Sequence, residues 1–377
     1  MTEPSVPQES PGQEPARKTP LFDLHRELGG KLVDFAGWLL PVQYPAGIMR
    51  EHQHCREAAA LFDVSHMGQV IVRGVGVPDA FERLVPADLQ ALALERQRYT
   101  VLTNDDGGIL DDLIIGRVRE GLFIVVNAAR REHDVAYMKQ ALEPACTVEP
   151  LEDRALLALQ GPRAADVMFR LAPASADLTF MSSGESMVAG ISCRISRSGY
   201  TGEDGFEISV PAGRAEALAR RLLEEEEVAP AGLGARDSLR LEAGLSLYGH
   251  DLTPETTPVE AGLTWTIQKR RRAEGGFPGD AVILKQLADG PPRRLVGIRP
   301  DGRAPAREGA EIQDDDGAPV GRVTSGGFGP TVGGPVALGY VDRRLAASGS
   351  RVQLVVRGRP HPAAVADLPF VPHNYKR

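Results

Sequence analysis

Two aspartates interrupt an apolar run at Gly107-Gly108-Ile109-Leu110-Asp111-Asp112-Leu113-Ile114-Ile115. Neighbouring residues of a strand face opposite sides, so Asp111 and Asp112 are expected to meet different environments. One of them faces solvent or caps the turn, and the other points into an interior or a cleft. A buried ionised carboxylate is costly unless partnered, and burial raises its pKa. Such a group suits proton handling or the stabilisation of a cationic intermediate; the plainer alternative is a pair of turn-stabilising aspartates. A second candidate is Ser198-Gly199-Tyr200-Thr201-Gly202-Glu203-Asp204-Gly205-Phe206-Glu207-Ile208. Its three glycines allow close approach of backbone to a ligand. Glu207, on the strand that follows, is either an ordinary solvent-facing residue or an acceptor for a ligand with adjacent N–H donors, which a carboxylate binds side by side. The third is Gly232-Leu233-Gly234-Ala235-Arg236-Asp237-Ser238-Leu239-Arg240. Arg236 at a helix start opposes the macrodipole, which makes sense if an anion or carbonyl lies nearby; a surface salt bridge is the alternative.

Other chemistry-bearing residues are weaker candidates. His52 and His54 lie two apart in an expected helix, hence on different faces, which disfavours a metal site. The glycines of Ser325-Gly326-Gly327 lack the Lys-Ser/Thr ending of a phosphate loop. Cys55, Cys146 and Cys193 are far apart and odd in number, so they predict no disulfide framework and no paired metal spacing. Lys269-Arg270-Arg271-Arg272 reads as a solvated loop, or alternatively as a partner-docking patch.

The elements that must position these residues can be placed coarsely. Tyr99–Thr103 and Ile109–Arg117 read as strands joined by Asn104-Asp105-Asp106-Gly107-Gly108, a strong turn signal. Helices are expected over 20–28, 47–61, 132–142, 163–171, 214–226 and 235–243. Further strands are expected over 122–126, 155–159, 192–198 and 206–210. From Arg293 the chain changes to short Val-rich segments separated by Gly, Pro and Asp, the pattern of a small β-barrel. Helices and strands mix without strict alternation, so the class is α+β. The expected organisation is a disordered tail over 1–17, a region of two intertwined α+β domains over 18–275, and a barrel domain over 290–373.

Composition bounds the rest. The chain has 377 residues, 42% hydrophobic and 25% charged, with net charge -8. These are values of an ordinary globular protein, and the acidic balance disfavours nucleic-acid partners. No window is apolar enough to cross a bilayer. The first residues, rich in Pro, Glu, Gln and Ser, have neither the apolar core of a secretory signal nor the Arg-rich, acid-poor character of a transit peptide, so a cytoplasmic location is expected.

Taken in order, these segments resemble the aminomethyltransferases, the T proteins of the glycine cleavage system. The resemblance runs from Lys18 to Tyr375. It includes Asp34-Phe35-Ala36-Gly37-Trp38, Leu61-Phe62-Asp63-Val64-Ser65-His66-Met67-Gly68, Leu159-Gln160-Gly161-Pro162, Gly199 to Glu207, Leu247-Tyr248-Gly249-His250-Asp251 and Pro369-Phe370-Val371-Pro372. It implies three domains around a central folate site, the last a small barrel. It also implies a reaction that moves a one-carbon unit from the aminomethyl-lipoyl arm of the H protein to tetrahydrofolate as co-substrate, with release of ammonia and no metal. By this resemblance Asp112 is the acid at the reacting folate nitrogens and Glu207 holds the pteridine ring. Arg236 and Tyr375 are further folate contacts, and Tyr99, Asn127 and Tyr200 line the pocket. Two other readings share that pocket: a tetrahydrofolate-dependent demethylase of another donor, and a non-catalytic folate-binding protein. Against them, the chain carries no fused flavin dehydrogenase domain and no Cys in the Gly-Tyr-Thr-Gly region.

Overall fold

The computed structural model describes residues 15–377. Fourteen of the seventeen residues expected to form a disordered tail lie outside that range. The last of them, Arg17, departs from the expectation: Arg17–Lys18 is a short strand that pairs in parallel with Trp38 and Leu39.

Besides the three-stranded sheet of Arg17–Lys18, Trp38–Gln43 and Lys31–Phe35, two larger sheets carry the N-terminal part. The first has six strands in the order Ser183–Val188, Ile191–Ser196, Gly205–Pro211, Arg154–Gln160, Ala59–Asp63 and Val228–Pro230. The second has five, in the order Gln97–Thr103, Ile109–Val118, Gly121–Val126, Gly68–Gly74 and Cys146–Pro150. The chain therefore passes between sheets at 63–68 and again at 150–154. Strands adjacent in sequence lie in different layers, and residues far apart are brought to one interface. That interface is an apolar seam of Phe62, Val64, Ile71, Phe123, Val125, Leu156, Ala158, Ala235 and Leu239. Burying each of its larger side chains contributes about 1.5–3 kcal/mol.

The outer face of the six-stranded sheet packs against Ala164–Leu171 and Ala212–Leu223. The five-stranded sheet packs against Arg131–Leu142, whose inward residues Asp134, Met138 and Leu142 recur every four positions, as one helical face requires. The C-terminal strands Arg293–Pro300, Gly334–Asp342, Pro319–Gly329, Glu311–Gln313, Arg351–Val356 and Arg359–Ala366 close into a barrel around Ile298, Val323, Ala337 and Leu354. The fold is α+β with a small terminal barrel. Arg240, buried in the helix Leu233–Glu242, pins that barrel to the rest through Asp251 at 2.8 Å and Ser325 at 2.9 Å.

Two sequence expectations fail locally. The helix expected over 47–61 stops at Glu57, and Ala59–Asp63 is instead a fully buried strand. Ala-rich sequence favours helix by propensity, but pairing on both edges, with Arg154–Gln160 and Val228–Pro230, overrides it. The basic run at 269–272 is neither a solvated loop nor a free docking patch. It opens the helix Lys269–Glu274 and is largely engaged within the chain. Arg270 bonds Glu82, Asp88 and Glu274, Arg271 is buried against Glu82, and Arg272 donates to the carbonyls of Thr264 and Ile267.

Candidate active site

Along Ile109–Val118 the residues Ile109, Asp111, Leu113 and Ile115 are buried, while Leu110, Asp112 and Ile114 are half-buried on the other face. The strand alternates as its sequence requires, but Asp111 neither faces solvent nor caps the turn. It lies on the core side, wholly buried. The turn is held instead by Asn104, whose Oδ1 accepts from the N–H groups of Asp106 and Gly108. Gly108 is required there, since a Cβ would sit 1.7 Å from the Pro254 carbonyl oxygen.

Asn127, just past the end of the neighbouring strand, ties the two aspartates together despite their opposite faces. Its backbone N–H donates to Asp111 Oδ2 at 3.1 Å, and its Nδ2 lies 2.9 Å from Asp111 Oδ1 and 2.7 Å from Asp112 Oδ1. Tyr99, on the adjacent strand, acts on Asp112 in the opposite sense to burial and favours its charged form. Burial, and next the Asp111 carboxyl, raise the Asp112 pKa to about 7. A carboxyl so placed is available both as acid and as anion near neutral pH.

Tyr200 is buried and interacts electrostatically with Arg240, Asp112 and Arg236. Its hydroxyl donates to the Ser246 carbonyl, and the Arg236 guanidinium sits 4.8 Å from its ring centre. Arg236 has no acidic partner within salt-bridge distance among the described residues, and its buried Nη1 has no hydrogen-bond partner. Glu207 acts on Arg236 as a nearby charge and accepts one hydrogen bond, from Ser198 Oγ at 2.7 Å. It lines a narrow cleft with Gln97, Phe123 and Ser196. The Gly-rich loop before it packs without room for side chains: a Cβ on Gly199 would lie 1.8 Å from Gln160 Oε1.

The structure thus brings Tyr99, Asp112, Asn127, Tyr200, Arg236 and Glu207 into one neighbourhood. Tyr375 stands somewhat apart. It stacks on Phe180 at 4.0 Å, its ring lies 4.9 Å from that of His373, and its charged neighbours are Arg56 and Glu203. Sequence reasoning did not single out Trp265, 58% exposed and stacked on Tyr99 at 5.3 Å. It also passed over Asp134, although the four-residue spacing of Asp134, Met138 and Leu142 marks that acid as inward-facing. A larger cavity of about 630 Å³, lined by Arg17, Trp38, Arg131 and Arg154 among others, lies away from this cluster. The cluster, unlike that cavity, holds a carboxyl in the titrating range and the unpartnered Nη1 of Arg236. Among the described residues no cluster of three or more His, Cys, Asp or Glu side chains could hold a metal ion, and no helix is long and apolar enough to cross a membrane.

Residues 21–271 match the family model of the GCVT N-terminal domain, and residues 293–372 match that of the glycine cleavage T-protein C-terminal barrel domain. The mitochondrial aminomethyltransferase of Dictyostelium discoideum is 46% identical over 96% of this chain and 94% of its own length. That of Pisum sativum is 47% identical over 95% and 90%. The crystal structure of glycine cleavage system aminomethyltransferase T from Bartonella henselae superposes with a TM-score of 0.90 at 43% identity, covering 96% of this chain and all of that one. The curated relatives are mitochondrial proteins, which overturns the cytoplasmic location expected from the composition of the first residues. With both family models matched and the identity spread over nearly its whole length, the chain belongs to the aminomethyltransferase family, the T proteins of the glycine cleavage system.

Proposed function

We propose that the cluster around Asp112 binds tetrahydrofolate and receives the aminomethyl group carried on the lipoyl arm of the H protein. The observation that carries this reading is Asp112 itself. It is a carboxyl whose pKa burial, and next the buried Asp111, raise to about 7, in a cluster where Arg236 Nη1 is buried without a hydrogen-bond partner. Glu207 accepts from Ser198 on Oε2, and the remaining lone pairs of its two oxygens can take the paired ring donors of a pteridine side by side. Arg236, lacking an acidic partner, serves a carbonyl or carboxylate of the same molecule. Tyr99 and Trp265 offer flat faces at the edge of the site.

In the transfer, the carbon–sulfur and carbon–nitrogen bonds of the aminomethyl group break and two carbon–nitrogen bonds to folate form. The two protons leaving the folate nitrogens are balanced by those gained by ammonia and the thiol. Positive charge develops on the transferred carbon as ammonia departs, and the Asp112 carboxylate, fixed by Asn127, stabilises it without reorganising. Holding both reactants in one site supplies a further large share of the acceleration. Glu207→Ala should weaken tetrahydrofolate binding at least tenfold by calorimetry with the melting temperature retained; unchanged affinity would remove Glu207 from the site.

A further inference from the structure

Behind Asp112 lies a second acidic group with no assigned task. Asp111 and Asp134 are both fully buried, one on the core face of the strand Ile109–Val118 and the other on the inward face of the helix Arg131–Leu142. Their carboxyl groups meet within hydrogen-bonding reach. Two carboxylates offer only acceptors, so such a contact requires a proton. The remaining bonds agree. Both oxygens of Asp111 accept from Asn127. Asp134 Oδ1 lies 3.0 Å from His133 Nδ1, which also accepts from Arg130 Nη2 at 2.8 Å, while its Oδ2 is buried with no donor among the described residues. A proton held between the two acids supplies that missing donor.

The surroundings also favour retaining a single charge on the pair. Arg130 Nε lies 4.0 Å from Asp134, and His133 reaches from Asp134 to the surface with its side chain 46% exposed. Tyr248, beneath the Arg130 guanidinium, and Tyr99 and Asp112 are the other titratable groups facing the pair. One cation at that distance compensates one negative charge and not two. Among the described residues the hydrogen bonds that tie the pair to the site run through Asn127, whose Nδ2 reaches Asp112 Oδ1.

We propose that Asp111 and Asp134, joined by one shared proton, form a positioning pair that holds the Asn127 amide and through it orients Asp112. This rests on the reading of Asp112 as the acid at the reacting nitrogens. Neutralising one member of a proton-sharing pair does not remove its charge but moves it. Asp134→Asn places the charge on Asp111, close to Asp112, and Asp111→Asn places it on Asp134, farther away.

The test is the pH dependence of kcat for the full-length enzyme with aminomethylated H protein and tetrahydrofolate. Asp134→Asn should move the acidic limb up by about half a pH unit, and Asp111→Asn should move it down by a similar amount, the direction in which a like charge shifts a neighbouring carboxyl. The double Asn variant should move it down furthest. Asp111→Ala should lower kcat at least tenfold with little change in the KM for tetrahydrofolate, and Asp111→Asn should recover part of that loss. Limbs that fall in both single variants would show two ionised acids, and limbs that stay put would show two neutral ones; either result overturns the proposal. If Asp111→Ala retained full kcat, the positioning role would be wrong. Should wild-type enzyme turn over and Asp112→Asn fail to reduce kcat, the reading of Asp112 falls first, and the two failures are thereby told apart.

Discussion

Asp112→Asn separates catalysis from stability, because the carboxylate that the reaction needs is one the fold holds at a cost. The side chain keeps its shape, and its amide oxygen can still accept from Asn127. Its ordinary pKa of 3.8 is raised in the fold to about 7, by burial and then by Asp111. Roughly 3 pH units at about 1.4 kcal/mol each set a ceiling of roughly 4 kcal/mol on the cost of ionising it in place. Its half-buried face lets water relieve part of that, so about 1–3 kcal/mol is expected. The sign follows from proton binding. Between pH 4 and 7 the folded state holds this proton more tightly than the unfolded one, so wild-type stability falls as pH rises through that window. Asparagine does not titrate, so the stability gained by the variant should be small near pH 4, grow through the window and level off above pH 7. Meanwhile kcat should fall about 100-fold or more, as when one preorganised electrostatic group is lost, with the folate affinity changing far less. Urea titrations at pH 4.5, 6 and 8, together with steady-state rates, measure both. A variant less stable than wild type at pH 8, or a kcat within threefold, would refute the reasoning.

Three further outcomes follow from particular contacts. Arg236→Ala should weaken tetrahydrofolate binding at least tenfold with a small change in melting temperature, since calorimetry then reports the loss of a ligand contact by a residue with no ion-pair partner. Arg240→Ala should do the reverse, losing about 3 kcal/mol of stability because it leaves the buried Asp251 uncompensated, as chemical denaturation would show. Arg270→Gln should lower stability by about 1–2 kcal/mol through Glu82 and Asp88 while leaving the KM for H protein unchanged; a raised KM with unaltered stability would restore the docking role that the structure removes.

Much of the site was legible because strand alternation and turn chemistry are local. The Asn104–Gly108 turn, the opposite facing of Asp111 and Asp112, and the helix carrying Arg236 and Arg240 all follow from residues close in sequence. What was not legible depends on pairing across the chain. Asp111 looked like a turn residue because nothing nearby announces Asn127 or Asp134, which come from another strand end and a helix. The strand Ala59–Asp63 looked helical because its edges are satisfied by segments about 100 and 170 residues away. The run Lys269–Arg272 looked solvated because its partners Glu82 and Asp88 lie nearly 190 residues earlier. Location failed for a different reason: composition of a terminal stretch is a weak signal beside curated relatives matched over most of the chain.

Transfer of a one-carbon unit from the H protein to tetrahydrofolate is the task proposed for the Asp112 cluster. The most direct measurement is ammonia released from aminomethylated H protein by purified enzyme, with and without tetrahydrofolate, alongside the folate product. Release should accelerate at least a hundredfold when tetrahydrofolate is added, with one methylenetetrahydrofolate formed per ammonia, and Asp112→Asn should lose that acceleration. Ammonia release indifferent to tetrahydrofolate, or an acceleration that survives in Asp112→Asn, would contradict that assignment.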